Sequence, residues 1–482
     1  MNAYELLMPL ITLLVGMVIN ILFEIFVDEE TSENQWLVQL VVLLLALFQQ
    51  TILYSMPPNI FARGGMALDG ITQVLSISIF VIAIFNHVGN KQVFHSRRAH
   101  IDLLQLGLVF SSVFTVQANR LFFSLLGIVA MVWMSSAVLA SDGKRSKQAG
   151  IVYDGIVRGI ILLLISIFLL IACYSLFAET QLDEIQRILV RNTSAQSKVI
   201  GIQIIILFLA SYIMGVPPFT GIFSNSRNFA GWAYSLCITS FFSVVGLGLF
   251  IRWAIFLFSR VAIGGLELEP VGPLDVFFGI KMIACGGLLL APVIALSSKN
   301  FGRGLSFFIL TPYIQALYGI SFGHRDLFEW ALGSVLISSF CIGLILLTVP
   351  GLNLQKNFTH WNLKGYSKID PNRVMPLILG LAALMGLAPF YGNLFLQKTL
   401  RINSWCGIIL IAHVFLNGIY VIRLAVASFQ RPLHQVNISS PLTLTQKILI
   451  IGQIGLLIFM GIWWQPLYKY GSYSVRSFYG DT

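Results

Sequence analysis

Apolar residues fill this chain in runs of about twenty, separated by short polar segments, from one end to the other. At a helical rise of 1.5 Å per residue, a run of that length crosses the roughly 30 Å hydrocarbon core of a bilayer. The runs predict an all-α integral membrane protein with about 14 transmembrane helices. They fall near 5–27, 36–55, 70–87, 101–119, 121–140, 156–178, 199–216, 229–258, 275–297, 304–322, 328–349, 374–391, 403–427 and 445–467. No long soluble insertion or low-complexity linker divides them, so the polypeptide reads as one membrane domain. The first run lacks a basic flank and a small-residue cleavage site, and is read as a retained helix rather than a signal peptide.

Two runs are interrupted in the same way. GVPPFTG begins at Gly215 and GLAPFYG at Gly386, and both fit G-x-x-P-F-x-G. Pro217, Pro218 and Pro389 each remove a backbone donor, and Gly215 and Gly386 release the chain from helical dihedrals. Carbonyls freed in this way cannot face lipid, so they need protein or a water-filled cavity around them. For either copy alone, an ordinary proline kink is a sufficient explanation. Two copies about 170 residues apart predict two related halves with a broken helix in each, a pattern that marks ion and substrate paths.

Composition narrows the class. With 57% hydrophobic residues, 10% charged residues and a mean hydropathy of +0.84, the chain has no means of forming a water-soluble globule. The net charge of +10 does not indicate nucleic acid, because Lys and Arg sit in short loops between spans. Alternate loops carry Lys91, Arg97 and Arg98, then Lys144, Arg145 and Lys147, then Lys299 and Arg303, then Lys356, Lys364, Lys368 and Arg373, then Arg431 and Lys447. Placing those loops inside predicts both termini on the outer side. The five cysteines lie in or beside apolar runs without CxxC spacing, and no His cluster accompanies them, so they read as buried thiols with no metal site. Neither a Gly-rich phosphate loop nor a His pair for haem is present, which argues against an enzyme acting alone.

A proton path needs ionisable groups at depth. Segments 121–140, 200–216 and 241–251 contain no Lys, Arg, Asp, Glu or His. The candidates near membrane depth are Asp154, Arg158, Arg252, Lys281, Lys398, His413 and Arg423. Arg158, Arg252, Lys281 and Arg423 also fit snorkelling residues at helix ends, and His413 also fits a hydrogen-bonded packing residue. Asp154 and Arg158 are four apart at an expected helix start, so they share a face and can neutralise one another.

Several stretches resemble the antiporter-like subunits of respiratory complex I, above all its subunit N (subunit 2 of the mitochondrial NADH dehydrogenase). ALDGITQVLSISIF at 67–80 is similar to the start of that family's third helix, and QANRLFFSLLGI at 117–128 to its fifth. QAGIVYDG at 148–155 resembles the opening of the sixth helix, and SSKNFGRGLSFF at 297–308 that of the tenth. YVIRLAVASF at 420–429 and GIWWQPL at 461–467 are similar to the ends of helices thirteen and fourteen. The order holds from about residue 60 to the end. The resemblance implies two inverted five-helix repeats with helices 7 and 12 broken. It implies N-terminal helices over 1–100, a first repeat over 101–258, a second over 275–427, and a last helix and C-terminus over 445–482.

Departures from the family pattern are as informative. The fifth-helix glutamate of the family falls on Val129, the sixth-helix lysine on Val152, and the lysine before the first break on Tyr212 or Ile213. The eighth-helix lysine falls on Ser243, nine positions before Arg252, the tenth-helix histidine on Pro312, and the twelfth-helix lysine on Leu396, two before Lys398. The resemblance therefore implies a membrane-arm component of a proton-translocating NADH:quinone oxidoreductase, or of a related complex, with its proton-carrying charges largely replaced and a mainly structural role. Such a chain is an accessory membrane subunit carrying no cofactor, with NADH, FMN, iron–sulfur clusters and quinone on partner subunits. Its neighbours are other membrane-arm subunits and lipid, in a bacterial cytoplasmic or mitochondrial inner membrane. The alternative is a subunit of a multi-subunit cation/proton antiporter, or a free-standing transporter using the broken helices as its binding site.

Overall fold

The computed structural model describes residues 3–26, 32–54, 59–61, 64–90, 98–141, 145–191, 198–218, 232–262, 267–271, 273–350, 363–386, 398–399, 404–430 and 442–479. The chain opens with α1 (Ala3–Phe26) and α2 (Ser32–Tyr54), then a hairpin of β1 (Asn59–Phe61) and β2 (Met66–Leu68). Next come α3 (Gly70–Gly89), α4 (Arg98–Gln117), α5 (Leu121–Ser141), α6 (Arg145–Phe177) and α7 (Leu182–Arg191). The short α8 (Ile200–Met214) and α9 (Trp232–Leu249) follow, and α9 runs into a π-helical segment, Phe250–Phe256. A second hairpin, β3 (Ser259–Val261) and β4 (Leu268–Pro270), leads to α10 (Val276–Ser297), α11 (Phe301–Ile320) and α12 (Arg325–Thr348). The one-turn α13 (Tyr366–Ile369), α14 (Pro371–Leu384), α15 (Ser404–Phe429), α16 (Leu444–Ile462) and α17 (Gln465–Tyr479) complete it.

Within the described residues, each of the expected spans overlaps one of these helices. Ten helices are long and apolar enough to cross a membrane, and three shorter apolar ones include α8 and α14. The helix α11 belongs to neither group because it carries Ser, Thr, Gln and Tyr, and it can do so because Arg303 is its one exposed residue. Together with α3, α12 and α9 with its π segment, α11 forms an interior column away from lipid. The windows on those other three are 89%, 94% and 100% buried, against 22–33% for α1, α6 and α16 at the periphery. Small residues let the column close up: a Cβ on Gly246 of α9 would lie 2.5 Å from the Met214 backbone of α8.

The start of α1 and the helix α17 lie at one end of the bundle, here the terminal face. Thr12 Oγ1 donates to Gln49 Oε1 at 2.7 Å, pairing the first half of α1 with the second half of α2, and Tyr54 Oη donates to the Tyr470 carbonyl of α17 at 2.7 Å. The two hairpins, α7 and α17 cover this face. The opposite, or far, face holds reciprocal bonds between Trp36 and His87, and Gln446 Nε2 donating to the Val88 carbonyl at 3.4 Å.

Two expectations change. The sixth span starts at Arg145 rather than near 156, because the polar segment before it continues the helix beyond the apolar stretch. The last span ends at Ile462, and a bend at Trp463–Trp464 starts the separate amphipathic α17.

Candidate functional site

The helices α8 and α14 are 15 and 14 residues long, about 22 Å each, too short for a roughly 30 Å core. The first ends on Gly215 at φ 76° and the second meets Gly386 at φ 80°, left-handed conformations that glycine adopts without a Cβ penalty. Counting crossings, α8 enters from the terminal face and α14 from the far face, so the two half-helices run in from opposite sides. Pro217 is buried and Pro218 exposed; Pro389 lies outside the described residues.

A continuous contact line joins the two ends. Val216, just past Gly215, fills the space that a side chain on Gly287 of α10 would need, with its Cγ1 2.7 Å from that Cβ position. Next to Gly287, the Leu288 carbonyl would bond the amide of residue 292 in a regular helix, but Pro292 has none. His413 of α15 supplies the missing donor, with Nδ1 2.9 Å from the Leu288 oxygen. Its Nε2 is 3.0 Å from Asn417 Nδ2, so both ring nitrogens are engaged and the network assigns the neutral tautomer with its proton on Nδ1. One residue further, Gly418 packs on Met385, with Met385 Cε 3.6 Å from a Cβ position there, at the end of the second half-helix. Pro312 in α11 is treated in the same way, since Thr311 Oγ1 donates to the Phe308 carbonyl at 2.6 Å.

Arg252 does not snorkel. Carried by the π segment, it is 7% exposed, and its Nη1 lies 3.3 Å from Asp69 Oδ2 while Nη2 donates to Asn119 Oδ1 at 3.2 Å. Asn119 Nδ2 donates to Asp183 Oδ2 of α7 at 2.8 Å, and Asp69 Oδ1 caps α3 by accepting from the Thr72 amide at 2.8 Å. This network ties α3, the start of α5, α7 and the π segment together at the terminal face. Local π geometry of this kind often re-aims a functional side chain.

The remaining candidates stand at other levels. Asp154 and Arg158 pair at 2.8 Å, nine and thirteen residues into α6 rather than at its start. Gly155 and Gly159 pack on Ser136 and Trp133, so the ion pair runs from the middle of the bundle toward the far side, close to Tyr212 at the end of α8. Lys398 Nζ lies 5.7 Å from the Trp330 ring centroid, and Lys281 Nζ 4.4 Å from that of Phe322, both toward the terminal face. Arg423 Nη1 donates to the Leu296 carbonyl at 2.8 Å near the far face. The five candidates Lys398, His413, Arg252, Asp154 and Arg158 therefore occupy three depths. His413 stands at mid-depth on the contact line between the two half-helices, bonded to the thirteenth residue of α10, and Arg158 stands at a similar depth on α6, beside Trp133, the thirteenth residue of α5.

Sequence reasoning missed the partners. Asp69 and Asn119 stand in the quoted 67–80 and 117–128 stretches, yet nothing in their spacing links them to Arg252. Glu329, also missed, is buried on α12, paired to Arg325 at 3.1 Å and covered by α17, where a Cβ on Gly471 would clash with its backbone. No group of three or more His, Cys, Asp or Glu suited to a metal occurs among the described residues.

At the positions matching family charges, Val129 is 3% exposed within α5, and Ser243 Oγ donates to the Thr239 carbonyl at 2.7 Å. Val152 is 39% exposed, Tyr212 packs on Phe208, and Leu396 lies outside the described residues.

No family model and no curated protein matches the sequence. Solved structures do match. A chain of the membrane-bound sulfane sulfur reductase, an archaeal respiratory membrane complex, is 14% identical with a TM-score of 0.83 over all of both chains. A chain of the Mrp complex from a Dietzia species is 12% identical with a TM-score of 0.79, covering 100% of this chain and 98% of that one. A chain of respiratory complex I from Thermus thermophilus with bound aureothin is 15% identical with a TM-score of 0.71, covering 96% and 98%. At such identities the likeness is one of fold: this multi-pass membrane chain has the fold of the antiporter-like membrane subunits of complex I and related complexes.

Proposed function

We propose that this chain is an antiporter-like membrane-arm subunit of a multi-subunit respiratory or antiporter complex, and that it serves mainly as architecture. Full-length fold likeness to chains of three such complexes supports the assembly. The observation that carries the structural role is the centre of the bundle. On the contact line between the two breaks stands His413, and both of its nitrogens serve the gap left by Pro292 and Asn417, while the Asp154–Arg158 pair beside the first break is closed on itself at 2.8 Å. To carry a proton His413 would have to give up both bonds and ionise in a fully buried place, whereas a switchable carrier needs a charge poised near it. Val129, Ser243 and Pro312, at three of the family's charged positions, supply none. The basic far-face loops favour that face inside and the termini outside. Redox cofactors and quinone belong to partner chains in this reading.

The test of the assembly is purification from native membrane in gentle detergent, with every accompanying chain identified. Recovery with other apolar multi-pass subunits is expected. Recovery of the chain alone, stable and transporting a solute, would replace this reading with that of a free-standing transporter.

A further inference from the structure

We propose that the far-face seam of α10, α11 and α15 binds one anionic phospholipid. Three cations meet there. Arg423 is fixed on the last turn of α10 by its bond to the Leu296 carbonyl, Lys299 is exposed three residues on, and Arg303 is exposed on the first turn of α11. The N-terminus of α11, capped by Asn300, opens at the same place and adds its positive dipole end. Lys364, Lys368 and Lys447 extend the positive face, and the carboxylate among the described residues there, Asp370, is held by Arg373 at 3.4 Å.

About one turn deeper, roughly 6 Å, the surface changes to aliphatic. There Leu289 and Val293 on α10 and Ile419 on α15 are 39–47% exposed, while Ile422 and Val426 flank Arg423 at its own level and above. A rim of cations over a strip of branched aliphatic side chains complements one molecule carrying both a phosphate and acyl chains. The charges take the headgroup phosphate and the strip takes the chains. A protein neighbour would need acidic side chains at one depth and apolar ones below it, whereas an anionic lipid brings the pairing ready-made at the depth where its headgroup resides.

The test uses the purified complex in phosphatidylcholine nanodiscs titrated with phosphatidylglycerol, read by native mass spectrometry. One phosphatidylglycerol should be retained at the seam of the wild type. The Lys299→Gln/Arg303→Gln variant should bind it roughly 30-fold more weakly, at about five-fold per cation. Both side chains are exposed, and the Lys299→Arg/Arg303→Lys variant should bind as wild type does, separating charge from folding. Equal retention of phosphatidylcholine and phosphatidylglycerol, undiminished binding in the glutamine variant, or another protein chain covering this seam in the complex would overturn the proposal.

Discussion

The Asp69→Asn, Arg252→Met and double variants dissect the ion pair at the terminal face. Asparagine keeps the cap on α3, because its side-chain oxygen also accepts from the Thr72 amide, so this variant removes charge alone. It leaves the Arg252 guanidinium, whose side chain is 9% exposed, with Asn119 as its acceptor among the pairs described. An uncompensated charge of that burial costs about 3 kcal/mol, at the lower end of the range for a broken buried pair. The Arg252→Met change is milder. Asp69 is 24% exposed, keeps the Thr72 bond and sits at the positive end of a helix dipole, so about 1 kcal/mol is expected. In the double variant neither charge is stranded, and the loss should be near 2 kcal/mol instead of the additive 4, a coupling of about 2 kcal/mol. The assay is reversible unfolding of the detergent-solubilised protein by SDS, with helicity followed by circular dichroism. A double variant less stable than Asp69→Asn, or an Arg252→Met variant less stable than Asp69→Asn, would refute the reasoning.

Three further outcomes follow from the same geometry. His413→Leu should cost about 1–3 kcal/mol by stranding the Leu288 carbonyl, and adding Pro292→Ala should recover at least half by returning a backbone donor; the same unfolding assay shows whether rescue occurs. Gly215→Ala and Gly386→Ala should each cost about 1 kcal/mol through the left-handed backbone, and Val216 should become more reactive to thiol reagents after substitution by Cys if the first half-helix loosens. Gly246→Leu should reduce assembly in native gels, because its side chain meets the Met214 backbone at the end of α8.

The helical architecture was legible because lipid imposes a length and a composition on every crossing, so apolar runs alone located the helices. The breaks were legible for a local reason: Gly and Pro act on their own dihedrals, and Gly215 and Gly386 adopt the backbone their type favours. The pairings were not. Arg252 and Asp69 stand 183 residues apart, and His413 and Leu288 stand 125 apart, so no window along the chain contains both members. Arg252 was read as a snorkelling end residue because its neighbours Phe250, Ile251 and Trp253 are apolar. Hydropathy gives depth along a helix and not the face a π turn presents. Glu329 was passed over because Arg325 and Asp326 beside it make the start of α12 look like a loop end. Asp154 and Arg158 were legible as a pair, since an i,i+4 spacing is a property of one helix, but their depth depended on where α6 begins. His413 was legible as a histidine at depth with a hydrogen-bonded packing role open to it, but its partner, the Leu288 carbonyl opposite Pro292 on another helix, had no local signal.

The central claim is that the middle of this bundle holds its two half-helices together and carries no proton. It is tested by coupled proton translocation in proteoliposomes containing the purified complex with His413→Gln and Lys398→Met. The account predicts assembly and a proton yield per turnover equal to wild type. An intact complex whose proton yield falls several-fold would contradict it and make His413 or Lys398 part of a working channel.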